Sequence, residues 1–99
     1  MIIYNVTISI EEGIRQDWIR WMKEDHIPEV MATNLFTDYK FCRVISVQGE
    51  DNTYSIQYFC ENISSYNNYQ DNYAAELQKK HTDKFQNQFV AFRTLLEAM

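Results

Sequence analysis

His26 is the side chain of this sequence whose type best suits proton transfer near neutral pH, since an unperturbed imidazole titrates at about 6.5. It lies in DWIRWMKEDHIPEVMAT, Asp17 to Thr33, between Asp25 and Ile27-Pro28. Two readings are open. In the first, His26 closes a helix end, where the helix dipole favours a cation. In the second, it is a catalytic acid/base or ligand-orienting group at the mouth of a pocket, with Asp25 or a tyrosine fixing its tautomer. The other histidine, His81, ends a stripe of tyrosines and reads as a wet residue at the edge of a core face. No nucleophile stands beside a base, no phosphate-binding loop is present, and no cluster of metal ligands is evident. The sequence calls for no cofactor and no metal. Cys42 and Cys60 form no metal motif and read as buried thiols of a reducing compartment.

The elements that must position these groups follow from periodicity. Ile2, Tyr4, Val6, Ile8 and Ile10 alternate with polar residues, which predicts a strand with one apolar face. Ser9-Ile10-Glu11-Glu12 fits a capping box for the helix that follows. On that helix Ile14, Trp18, Ile19, Trp21 and Met22 share one arc, and Gln16, Arg20, Lys23 and Glu24 the other. Asp25 and His26 fall on the apolar side. Pro28 predicts a break near His26, with a short second helix opening on the proline.

Tyr39 to Gln48 reads as a second strand and Thr53 to Cys60 as a third, with Gly49-Glu50-Asp51-Asn52 as the turn. Matching apolar residues pairs Val47 with Tyr54, Ile45 with Ile56, Arg43 with Tyr58 and Phe41 with Cys60. Cys42 then faces Phe59, away from Cys60, which argues against a disulfide. Asn62 caps a second helix, Ile63 to Asp83, whose face carries Ile63, Tyr66, Tyr69, Tyr73 and Leu77. Gln88 to Glu97 is a last strand, apolar on both faces.

This order, βαββαβ, is the α+β ferredoxin-like pattern: a single domain over 1–99 with an antiparallel sheet in the order 4-1-3-2 and both helices on one side. The last strand is then an edge. An edge apolar on both faces calls for a cover, and the simplest is a second copy packed sheet face to sheet face, a homodimer. The topology gathers His26 with Tyr4, Tyr39, Tyr58, Tyr66 and Arg93, a set suited to binding a small aromatic or anionic ligand. It places His81 near the opposite end of the sheet, too far to share a site with His26.

W-x-x-W-M-K, H-I-P-E-V-M-A-T, Y-S-I-Q-Y-F-C and F-V-A-F-R-T-L-L-E together resemble a family of short bacterial proteins known as a domain of unknown function. That family is similar to the dimeric α/β-barrel superfamily, in which two ferredoxin-like subunits share a barrel and each holds a cleft between helices and sheet. Members include cofactor-independent monooxygenases, haem-degrading enzymes, lactone isomerases and stress-response proteins. The resemblance implies a cleft histidine at the position of His26. Many relatives carry Pro-Gly-Phe after the first helix, where this chain has Asn34-Leu35-Phe36.

Composition narrows the classes. The net charge is −5 with scattered cations, which excludes nucleic acid and anionic membranes as expected partners. The N-terminus alternates instead of carrying a secretory leader, and no run approaches the ~20 apolar residues of a membrane helix, so the expected location is cytoplasmic. A small-molecule-binding protein, with cofactor-free catalysis at His26, is the leading expectation. A non-catalytic homodimeric binding or regulatory module is the alternative, and haem or metal binding through His26 a weaker one, for want of a second ligand.

Overall fold

Nine residues of strict alternation form β1, Ile2–Ile10, with the even-numbered side chains buried and the odd ones half-buried. The structure, a computed structural model, describes residues 1–45 and 52–99. A 3-10 turn, Glu12–Ile14, leads into α1, Arg15–Trp21, then a π-helical turn, Met22–His26, and α2, Ile27–Met31. Strands β2, Asp38–Arg43, and β3, Thr53–Cys60, follow. The second helical layer is α3, Ile63–Asn72, and α4, Ala74–Lys84, and the last element is β4, Phe89–Glu97. The four strands make one antiparallel sheet in the order β2-β3-β1-β4. This is the ferredoxin-like α+β fold.

Helices and sheet meet along the even face of β1. Trp18, Met22, Ile27 and Val30 come down from the first helical run, Tyr69, Ala74, Leu77 and Phe85 from the second segment, and Tyr54, Ile56, Tyr58 and Cys60 rise from β3. Among the described residues no helix lies on the opposite face of the sheet. There β4 presents Val90, Phe92 and Leu96, paired across from Ser9, Thr7 and Ile3.

Four expectations need correction. First, the helix does not break at His26: the backbone stays in the right-handed helical region at Met22, His26 and Ile27. Pro28 has no N–H, and its ring crowds the carbonyl one turn back. The chain absorbs this as a wide turn, with Ile27 N–H bonded to Met22 O, and the helix continues. Secondly, the capping box does not form. Ser9 stays in β1, where its Oγ meets Thr53 Oγ1 at 2.8 Å, and Glu11 begins the helical turn with no side-chain bond. The Asn62 cap does form, accepting from Ser65 N–H at 3.0 Å.

Thirdly, the β2–β3 register lies four residues from the expected one: Phe41 opposes Ile56 and Tyr39 opposes Tyr58. A shift of four preserves the faces, so apolar matching alone does not separate the two. The short connection from α2 does, because Thr37 N–H reaches Phe59 O at 2.7 Å and starts β2 there. Phe41 is thereby set edge-on to Trp18, 5.7 Å between centroids. The strand ends at Arg43; its expected continuation to Gln48, the Val47–Tyr54 pair and the turn from Gly49 lie partly or wholly outside the described residues. Fourthly, Cys42 is exposed, whereas Cys60 is buried as expected; both are free thiols.

Candidate functional site

A cavity of about 40 Å³ lies between the helical layer and the sheet. That is room for several water molecules or a small organic fragment. Tyr4 and Arg93 border it from β1 and β4, Tyr58 from β3, and His26 from the π-helical turn. Four of the six residues singled out in the sequence therefore meet at one place. The other two do not border it. Tyr66 packs against Tyr4, centroids 5.3 Å apart, behind the wall, and Tyr39 is exposed at the sheet edge, across from Tyr58.

His81 borders the same cavity, which corrects the expectation that the two histidines lie far apart. Their ring centroids are 5.9 Å apart. Because the helix runs on through Pro28, His26 sits within the first helical run and not at its far end. His81 stands one turn before the end of α4, against the early part of that run. Nor is His81 wet: it is buried, edge-on to Phe89 at 4.2 Å. Its Nε2 accepts a hydrogen bond from Trp18 Nε1–H at 2.8 Å. Trp18 is fully buried, so this bond satisfies an indole N–H that water does not reach.

His26 is half-buried and lies against Trp21, rings 5.1 Å apart and inclined by 27°. Asp25 does not orient it. That carboxylate is exposed, because the wide turn keeps His26 on the cavity side while Asp25 faces solvent. Among the described residues the His26 imidazole has no hydrogen-bond partner.

Electrostatics keep the cavity's acid–base groups neutral. Burial lowers the His26 pKa to about 4; Glu29 opposes the shift, and Arg93 and Lys80 reinforce it. Burial lowers His81 to about 4 as well, with the charged form of His26 and Arg93 adding to the effect. Burial raises the phenols of Tyr4, Tyr58 and Tyr69, although Arg93 partly offsets this for Tyr4. Arg93 Nε donates to Tyr4 Oη at 3.1 Å, which holds the guanidinium against the cavity. At pH 7 the site thus offers two neutral imidazoles, several protonated phenols and one cation.

The loop after α2 closes the aromatic end. Asn34 takes φ 62°, a left-handed conformation that asparagine tolerates. Phe36 is then buried against Tyr58 and Tyr69, centroids 5.3 and 5.0 Å away. Sequence reasoning missed Gln78, Thr82 and His81 as cavity residues. The available signal was the place of His81 on the same helix face as Tyr66, Tyr69, Tyr73 and Leu77, the face that packs inward.

Among the described residues no group of His, Cys, Asp and Glu side chains could hold a metal ion, and no helix is long and apolar enough to cross a membrane. A search of the curated proteins found no match. Solved structures share the fold at low identity. A dimeric ferredoxin-like protein from an uncultured marine organism is 11% identical, with a TM-score of 0.71 over 100% of this chain and 95% of that one. A variant of SnoaB, a cofactor-independent oxygenase from Streptomyces nogalater, is 10% identical, with a TM-score of 0.72 over 98% and 92%. An ethyl tert-butyl ether d (ethd) family protein from Bacillus halodurans is 15% identical, with a TM-score of 0.70 over the whole of both chains. The sequence as a whole, residues 1–99, matches one family model, and the chain belongs to that family, the domain of unknown function DUF4286.

Proposed function

We propose that this protein binds a small aromatic or anionic molecule in the cavity beneath its two helical segments, with His26 as the group that exchanges a proton with it. One observation carries the reading. A neutral imidazole with no partner among the described residues borders an internal space shared with a cation and phenols. Such a group can accept a proton from a ligand without first losing one to the protein. The cofactor-independent oxygenase among the structural neighbours supports cofactor-free chemistry in this fold, without assigning a reaction here. A haem would require the walls to open far beyond the present cavity of about 40 Å³.

The test is a fragment screen followed by NMR on the native chain and on His26→Ala. Fragments of up to about six heavy atoms are expected to shift the signals of His26, Tyr58 and Arg93 and to lose affinity in the variant. A chain that takes up none of them, or binds them equally without His26, contradicts the reading. The remaining function would then be that of a non-catalytic homodimeric binding or regulatory module.

The dimer belongs to both readings. Val90 is 69% exposed and Phe92 64% exposed on the helix-free side of the sheet. Apolar side chains that contiguous are normally covered, and a second copy packed sheet to sheet would cover them. The dimeric ferredoxin-like protein among the neighbours supports such self-association. Two free thiols, one of them exposed, support a reducing, cytoplasmic location.

A further inference from the structure

The bond between Trp18 and His81 has a chemical consequence for the cavity. An indole nitrogen only donates, so His81 Nε2 must accept and carry no proton. A neutral imidazole bonded in this way holds its proton on Nδ1. Protonating both nitrogens would set two donors against each other in a buried place. Among the described residues Nδ1 has no protein partner, yet it is not one of the buried atoms left without one. Some of its surface is therefore open, and His81 is one of the residues that line the cavity.

Arg93 supplies the other half. Its Nε is used by Tyr4, and it forms no ion pair among the described residues. Among the described residues no carboxylate borders the cavity. Arg93 is exposed to solvent on one side and borders the cavity on the other, and with the neutral N–H of His81 on the same cavity it offers a set of donors suited to oxygen acceptors.

We infer that the ligand is a small carboxylate or equivalent oxyanion of single charge, held by the terminal N–H groups of Arg93 and by His81 Nδ1–H, with Trp18 as the positioning residue that fixes the His81 tautomer. The inference rests on the cavity's being the ligand site. It divides the two histidines: His81 binds and does not exchange its proton, and His26 remains the exchangeable base. The volume of the cavity limits the ligand to a few heavy atoms unless the walls give.

Three probes of similar size and different charge test it: propanoate, propanamide and propylammonium, titrated at pH 7 into the native chain with NMR detection of the imidazole nitrogens. Propanoate is expected to bind at least tenfold more tightly than propanamide, to move the His81 Nδ1 signal and to leave Nε2 unprotonated. Arg93→Gln is expected to abolish that tenfold preference while the chain stays folded by its amide spectrum. Trp18→Phe is expected to let the second tautomer appear and to weaken propanoate severalfold, with propanamide unchanged. Equal binding of the amide, tighter binding of the ammonium ion, or an unchanged preference in Arg93→Gln overturns the inference while the cavity remains a ligand site. If none of the probes perturbs the imidazoles, the inference and the reading of the cavity fall together.

Discussion

Trp18 and His81 are joined by a 2.8 Å hydrogen bond that crosses from the first helical segment to the last turn of the second. Both partners are buried, Trp18 completely, so bulk water does not simply replace the lost bond. Trp18→Phe keeps most of the ring volume and deletes the donor. It is expected to cost about 1–3 kcal/mol of stability, the usual penalty for a buried polar atom left alone. Urea unfolding measures it, and a loss well under 0.5 kcal/mol would show that the bond contributes little.

The two imidazoles make stability depend on pH in a defined direction. Their folded-state pKa values are lowered to about 4 from 6.5. The unfolded chain therefore binds more protons than the folded one between those values. Their stabilising contribution is complete above about 6.5 and is lost as pH falls towards about 4, on the order of 3 kcal/mol for each fully realised shift. Thermal unfolding from pH 7.5 to 4 is expected to show this slope. A His81→Gln variant is expected to flatten part of it, and identical slopes in the two proteins would count against the assignment.

Pro28 is expected to matter for function more than for stability. Its missing N–H accompanies the wide turn at Met22–His26, and that turn presents His26 to the cavity. Pro28→Ala restores a donor, so the turn can tighten to regular α-helix and rotate His26 towards solvent. The variant is expected to remain within about 1 kcal/mol of the native chain in stability, with the His26 titration moved up towards 6.5. Retention of a titration near 4 would separate the proline from the placement of the histidine.

The helix-free sheet face gives an independent test. Phe92→Glu puts a charge at the centre of that face, opposite Thr7, where no core residue is disturbed. Sedimentation at micromolar concentration is expected to find twice the chain mass for the native protein and a single chain for the variant. A native monomer, or a variant still of double mass, contradicts sheet-to-sheet pairing.

Most of the architecture was legible in the sequence because alternation and helical period carry it. The β1 pattern, the apolar arc through Trp18 and Met22, the Asn62 cap and the two-sided β4 all lead to the observed sheet order. The β2 register was not legible, since a slip of four residues leaves every face unchanged and only the short α2–β2 connection decides between the two. The continuous first helix was hidden by Pro28, whose usual effect is to break a helix, here absorbed by one wide turn. That single error also separated the histidines, because it set His26 at a helix end. Tyr4, Tyr58 and Arg93 were legible as cavity residues because strand ends are fixed by topology. Tyr39 and Tyr66 do not border the cavity, since topology gives the end of the fold but not which side chains reach the space inside.

The most direct test of the site is a pH titration of the two imidazoles followed by long-range ¹H–¹⁵N NMR on the ligand-free chain. Both rings are expected to stay neutral down to about pH 5 and to titrate near 4, with His81 carrying its proton on Nδ1 throughout the neutral range. Titration of both rings near 6.5, with the His81 proton shared between its nitrogens, would mean imidazoles standing in bulk water and would contradict the cavity described above.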